Sequence, residues 1–315
     1  MKVLIIRFSS IGDIVLTTPV IRCLKQQLGA EIHYYTKPSF QPILQANPYV
    51  DKIHLLPAGK FPFLKDLKEE NFDYIIDLHN NLRTRLVKLY LGKKSVSFSK
   101  LNFEKFLLVN FKINRLPDMH IVDRYLDTVS RLNVHNDNKG LDYFIPEHSE
   151  VNIQHLPASH QSGYDVLVVG ASFRTKRLPL HKLKELTDTI TNPVIVLGGK
   201  EDIEAGEYLE KAFPHKVYNG AGKYSINQSA SIVRQAETIY THDTGLMHIA
   251  SAFQKKIISI WGNTVPAFGM YPYKTPFEII ENNHLSCRPC SKIGYDQCPK
   301  GHFRCMESLQ FEIKK

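Results

Sequence analysis

The sequence has no long hydrophobic run. No stretch approaches the about 18 apolar residues of a membrane-spanning helix. The opening residues, Met1-Lys2-Val3-Leu4-Ile5-Ile6-Arg7, form an apolar run too short for a secretory signal core and are stopped by a charge. A cytoplasmic location is therefore expected. There is no internal repeat and no low-complexity tract. There is no GxGxxG, so the dinucleotide fingerprint is absent. No Asp-x-Asp follows a predicted strand. Acidic residues are in deficit: 31 against 40 basic ones, a formal net charge of +9. Such a balance points to an anionic partner, whether nucleic acid, a phosphorylated small molecule or a membrane face. What is present is globular. With 43% apolar and 23% charged residues, a disordered chain, a collagen and a coiled coil are excluded. A length of 315 residues predicts two domains, large enough to fold without disulfide staples.

The basic surplus is concentrated. Between Asn80 and Arg115 stand Arg83, Arg85, Lys88, Lys93, Lys94, Lys100, Lys105, Lys112 and Arg115 against Glu104 alone. Aromatic residues are interleaved with them: Tyr90, Phe98, Phe103, Phe106 and Phe111. The run Phe103 to Phe111 reads as an amphipathic helix, either lying on a bilayer surface or facing a core.

Short apolar runs alternate with helical patterns. Val3–Ile6, Glu31–Tyr35, Tyr74–Leu78, Asp165–Val169, Val194–Leu197, Thr238–Thr241 and Lys256–Trp261 read as buried strands. Pro19–Leu28, Val122–Leu132 and Leu180–Ile190 read as helices between them. That alternation predicts βαβ units and parallel sheets. The pattern pauses between Leu141 and Tyr164 and then restarts. The expected architecture is α/β, with two Rossmann-like doubly wound domains, 1–155 and 156–315, facing a central cleft.

Four strand-end loops carry candidate chemistry, since open α/β sheets bind ligands there. The first, Ser9-Ser10-Ile11-Gly12-Asp13, is expected as a loop running to Thr17. Thr18 would cap the following helix and Pro19 would open it. Asp13 either presents a carboxylate or caps a turn. In the second, Asp243-Thr244-Gly245-Leu246-Met247-His248 opens a helix whose free N–H groups suit a phosphate. Asp243 or Thr244 could equally be an N-cap, and His248 a core histidine. The third, Gly170 to Pro179, offers Ser172, Arg174 and Lys176 to a pyrophosphate, or is a solvated basic loop. In the fourth, Gly198-Gly199-Lys200-Glu201-Asp202, an acid could grip ribose hydroxyls or start a helix.

Four of the five cysteines lie close together as Cys287-x2-Cys290-x7-Cys298-x6-Cys305. They could hold a structural zinc, form buried thiols or make a redox pair. A zinc-bearing nucleic-acid binder would place its charge near them. Arg288, Lys292, Lys300 and Arg304 face Asp296 there, but the main basic window is elsewhere, so nucleic acid is not the expected partner.

Taken together these residues resemble glycosyltransferase family 9, the ADP-heptose–lipopolysaccharide heptosyltransferases. The segments are Arg7-Phe-Ser-Ser-Ile-Gly-Asp13-Ile-Val-Leu-Thr-Thr-Pro19, Asp77-Leu-His-Asn-Asn-Leu-Arg83, His120-Ile-Val-Asp-Arg-Tyr-Leu126, Asp243-Thr-Gly-Leu-Met-His248, Trp261-Gly-Asn-Thr-Val-Pro266 and the cysteine tail. They occur in order over nearly the whole chain. The resemblance implies a GT-B fold, with acceptor in the N-terminal domain and nucleotide sugar in the C-terminal one. It implies inverting transfer of heptose from ADP-heptose to a lipopolysaccharide core or lipid A-linked acceptor. Another nucleotide-sugar transfer on the same fold is the alternative. Asp13 matches the general base. Ser172, Arg174, Lys176, Glu201 or Asp202, Asp243, Thr244, Gly245, Leu246 and His248 fall on donor positions. Ser9, Ser10, Gly12, Arg83, Lys93 and Lys94 are expected on the acceptor side. No cofactor is expected for catalysis, with zinc only as a possible structural ion. The acceptor would bring the enzyme to the inner face of the inner membrane, where the basic window would dock.

Overall fold

The computed structural model describes residues 1–57 and 64–311. The chain divides into two compact units. One comprises residues 1–100 and 119–146, the other 101–118 and 147–315. The boundary falls at Pro146, ahead of the expected 155. The segment from Leu101 to Asp118 groups with the second unit, although the sequence reading keeps it in the first.

Strands β1 (Lys2–Ile6), β2 (Glu31–Thr36), β3 (Lys52–Leu55), β4 (Tyr74–Asp77) and β5 (Lys94–Ser97) build the first sheet. All pairs are parallel, in the order β3-β2-β1-β4-β5. Val3 to Ile6 are fully buried, because a central parallel strand is covered on both faces. Helices α1 (Ile11–Val15), α2 (Thr18–Leu28), α3 (Lys65–Glu69) and α4 (Leu82–Leu91) follow in this unit, then α5 (Asn102–Phe111) in the second unit and α6 (Ile121–Asp127) back in the first. Leu4, Ile6, Phe8, Tyr35, Leu67, Phe72, Ile75, Val87 and Leu91 pack one core face. Helix α2 begins at Thr18 with Thr17 as N-cap and ends on Gly29 in the left-handed region. Its Arg22 is buried and pairs with Asp137 at 2.7 Å and with Asp142, which ties the end of the unit to the helix.

The second sheet has strands β6 (Asp165–Val168), β7 (Val194–Leu197), β8 (Val217–Asn219), β9 (Thr238–His242), β10 (Lys256–Trp261) and β11 (Phe277–Glu281). Their order is β11-β10-β9-β6-β7-β8, again all parallel. Helices α7 (Leu180–Thr189), α8 (Ile203–Ala212), α9 (Ile226–Gln235), α10 (Gly245–Ala252) and α11 (Arg304–Glu307) accompany it. Apolar clusters cover the sheet, one around Leu167, Val196, Ile258 and Met306, the other around Val166, Ile195, Ile239 and Trp261.

Each sheet reverses its winding once. In the first, the chain runs outward from β1 to β3 and then returns to lay β4 on the other side of β1. In the second, the same reversal lies between β6 and β9. Ligand sites in open α/β sheets form at the carboxyl ends of the strands at such a point.

Candidate active site

At the first reversal, Ile6 at the end of β1 lies level with Asp77 at the end of β4. The segment after β1 is not the plain loop expected. It contains the short helix α1, with Ser10 as N-cap. Asp13 sits in its first turn, and its Oδ2 accepts from the Ser10 backbone at 3.1 Å and the Ser10 hydroxyl at 2.8 Å. Asp13 thus caps the turn, as one of its two sequence readings expects. Its Oδ1 meets Arg7 Nη2 at 2.7 Å. Burial alone would raise this acid's pKa. The Arg7 charge and the Ser10 donors outweigh burial and hold it below the ordinary value. Gly12 is buried and Ser10 exposed, both in the same turn.

Arg7 stands in the same motif, and the sequence alone assigns it no role. It is buried, with Nε donating to Ser9 O at 2.7 Å and Nη1 to Leu78 O at 2.6 Å and to the Tyr125 hydroxyl at 3.1 Å. It therefore ties the ends of β1 and β4 and helix α6 around Asp13. His79 is a second residue the sequence reading left without a role. Its ring packs on Phe8 at 5.2 Å. Burial and the nearby Arg7 and Lys100 charges push it down to about 4, so it is neutral at physiological pH. Asp77 is fully buried and accepts from the backbone of His79 and Asn80 at 3.1 and 2.7 Å, shaping that turn.

The expected acceptor cations separate. Arg83 is exposed in the first turn of α4, just beyond the β4 turn. Lys94 instead opens β5, level with Tyr74 at the amino end of β4, and Lys93 precedes it and donates to Asn71 at 2.5 Å. Both lie at the opposite end of the sheet from Asp13. A charge count along the chain does not tell which end of a strand a lysine occupies. Lys100, after β5, is the member of that group that acts on His79.

At the second reversal, loops after β6 and β9 meet. Lys176 Nζ bonds Asp243 Oδ2 at 2.5 Å, and the Thr264 hydroxyl donates to the same oxygen at 3.2 Å. Asp243 thus holds Lys176 in place. Thr244 is the N-cap of α10, followed by Gly245 and Leu246, all partly exposed. The free N–H groups of such a helix start, with a lysine nearby, have the chemistry that suits an anion. Ser172 and Arg174 are exposed on the preceding loop. His248 is buried on α10, which is the core position of the two readings. His242, unassigned from sequence, accepts from the Leu178 backbone at 3.0 Å and ties the lysine loop to β9. Burial pushes its pKa down to about 4, which keeps the accepting nitrogen free of a proton. Asn263, at the end of β10, buries its side-chain amide without a hydrogen-bond partner.

The two acids after β7 have different surroundings. Asp202 is buried, accepts from Gly199 N at 2.8 Å and pairs with Arg177 at 2.8 Å. A Cβ at Gly170 would lie 2.2 Å from its Oδ2. Asp202 therefore joins two loops, and Glu201 is the exposed acid of the pair. The lysine loop is also gripped from the tail. Thr175 and Tyr295 exchange hydrogen bonds of 2.8 to 3.1 Å. Gly294, at φ +133°, lies against Phe173.

The tail itself is tied by the buried Arg288, which reaches Gly262 O, Thr264 O, Asn282 O and Glu281. Cys287 and His302 approach to 3.8 Å. Cys305 packs in the core with Met306 and Leu309. Among the described residues, no three of Cys287, Cys290, Cys298, Cys305 and His302 bring their ligand atoms within 4.8 Å of one another. As placed, they do not form a zinc ligand set.

A family model described as glycosyltransferase family 9 (heptosyltransferase) matches residues 61–299. Lipopolysaccharide heptosyltransferase 1 of Campylobacter coli is 26% identical over 294 residues, covering 84% of this chain and 84% of its own. A glycosyl transferase family 9 structure from Veillonella parvula aligns with a TM-score of 0.74 at 21% identity, over 89% of this chain and 86% of its own. The ADP-heptose lps heptosyltransferase II of E. coli aligns with a TM-score of 0.71 at 20% identity, over 98% of both chains. At these identities the structural likeness speaks for the fold, which is GT-B.

Proposed function

Because the chain belongs to glycosyltransferase family 9 and is a glycosyltransferase, we propose that it transfers heptose from ADP-heptose to the lipopolysaccharide inner core with inversion. The acceptor hydroxyl attacks the anomeric carbon and gives its proton to Asp13. The bond from that carbon to the phosphate oxygen breaks, and ADP leaves with the electron pair. Arg7 keeps Asp13 ionised and aimed before the reaction. Lys176 and the N-terminus of α10 meet the charge that develops on the leaving diphosphate, and the step needs no metal for that purpose. Glu201 is the acid offered to the ribose. The acceptor is membrane-borne, so the enzyme works peripherally at the inner face of the inner membrane.

One observation carries this reading. Each sheet has its chemistry at its own winding reversal, an ionised carboxylate in the first unit and a lysine beside a helix start in the second. A panel of nucleotide sugars tests it by protection against thermal unfolding. ADP-heptose is expected to protect the wild type, and Lys176→Ala to lose most of that protection. Protection by a different nucleotide sugar and none by ADP-heptose overturns the donor. Full protection of Lys176→Ala overturns the lysine's role.

A further inference from the structure

Helix α4 turns the wrong side outward. Its buried residues, Thr84, Val87 and Leu91, follow a helical spacing and face the core. The opposite side carries Leu82, Arg85, Leu86 and Leu89, again at helical spacing. Leu82 is 74% exposed and Leu89 79%, the two most exposed large apolar side chains among the described residues. Leucines are normally the first to be buried, and an exposed stripe of them marks a contact surface. The helix is not held loosely. Asn81 accepts from Thr84 N at 2.9 Å and Thr84 Oγ1 accepts from Asn81 N at 3.0 Å, a reciprocal cap that fixes its start.

The charge around the stripe selects the partner. From Leu82 to Phe103 there are six basic residues and no acidic one. Lys88 turns inward to Asp77 at 2.9 Å, which leaves Arg83, Arg85 and Lys94 exposed. Two copies of this chain meeting through α4 would bring like charges together. A neutral apolar partner would leave the cations without counter-charge. An anionic bilayer satisfies both features, taking the leucines into its headgroup boundary and the arginines against its phosphates. We propose that the exposed face of α4 docks the protein on an anionic membrane. The sequence reading places this contact on the basic window from Asn80 to Arg115 as a whole, which includes α4, with the run Phe103 to Phe111 either on the bilayer or facing a core. That run is α5, and Lys112, which caps its end, is engaged with the backbone of Cys287 and Pro289.

The inference rests on the membrane-borne acceptor for its purpose, but its test contains neither donor nor acceptor, so a failed transfer assay leaves it standing. Full-length protein is sedimented with vesicles of phosphatidylglycerol and phosphatidylcholine in equal parts, and with phosphatidylcholine alone. The expected result is binding to the first that weakens with salt, and little binding to the second. Leu82→Gln with Leu89→Gln is expected to weaken binding about tenfold or more, as two apolar side chains no longer leave water. Arg85→Glu is expected to weaken it at low salt. Melting temperatures of the variants should stay near wild type, because the replaced side chains face out. Equal binding to both vesicles, undiminished binding by the double variant, or a wild-type dimer that the double variant dissolves would each overturn the proposal.

Discussion

Asp13 and Arg7 are best understood as one unit. Arg7 gives donors to Ser9, Leu78, Tyr125 and Asp13, so little of its hydrogen-bonding capacity remains open. Its charge is what keeps a buried carboxylate ionised, since burial works in the other direction. This gives a pH prediction with a definite sign. With Asp13 as the proposed base, transfer requires it ionised, so the acid limb of kcat/KM should lie below the ordinary carboxylate range in the wild type. In Arg7→Gln only the Ser10 donors still oppose burial, and the limb should move to higher pH. A pH profile measured on variants with normal melting curves checks this. An unmoved limb would remove Arg7 as the group that sets it. Asp13→Asn should lower kcat/KM by roughly 10²- to 10⁴-fold, the usual contribution of a general base, with donor protection retained. Undiminished turnover in that variant would remove Asp13 from the proton transfer.

At the scale of elements, the loop that carries Lys176 is held from three sides. His242 bonds it from β9, Arg177 links it to Asp202 after β7, and Tyr295 with Gly294 closes on Thr175 and Phe173 from the tail. Gly294 takes a left-handed φ of +133°, and a Cβ there would come within 2.5 Å of Phe173 Cβ. Gly294→Ala should therefore displace the loop without touching substrate. A misplacement of this kind is expected to lower kcat/KM for the donor on the order of 10- to 100-fold, mostly through KM. Donor kinetics of the purified variant test it, and unchanged values would show that the tail does not position the loop. The same elements show what could be read from the sequence. The central strands were legible because burial on both faces makes them continuous apolar runs, as in Val194–Leu197. The edge strands β3, β5, β8 and β11 were not: β3, β5 and β11 consist of exposed and half-buried residues, and β8 is only three residues long. Helix α1, only five residues long, hides inside a strand-end motif. The residues proposed to meet the donor were legible as motifs at strand ends. The roles of Arg7, His242 and Asp202 were not, because those roles consist of contacts with residues far away in the chain.

At the scale of the whole molecule, both units hold neutral histidines, half-buried in the first and buried in the second. His54 and His79 in the first and His242 in the second are each pushed down to about 4, chiefly by burial. Unfolding returns them to about 6.5. Between these values the unfolded chain binds protons that the folded chain refuses, so stability should be full above about pH 6.5 and fall as pH drops toward 4. His242 is completely buried, and its share should approach about 3 kcal/mol at the acid end, at about 1.36 kcal/mol per pKa unit. Carboxylates such as Asp13, held low in the folded state, add their own loss only at lower pH, when they begin to protonate. The two sources are therefore separable by their pH windows. His242→Gln keeps an acceptor for the Leu178 amide and removes the titrating ring. Its melting temperature should be somewhat lower at pH 8, but should fall less steeply than wild type between pH 6.5 and 4. Parallel melting-temperature curves for the two proteins across that window would show that His242 is not what makes the fold acid-sensitive.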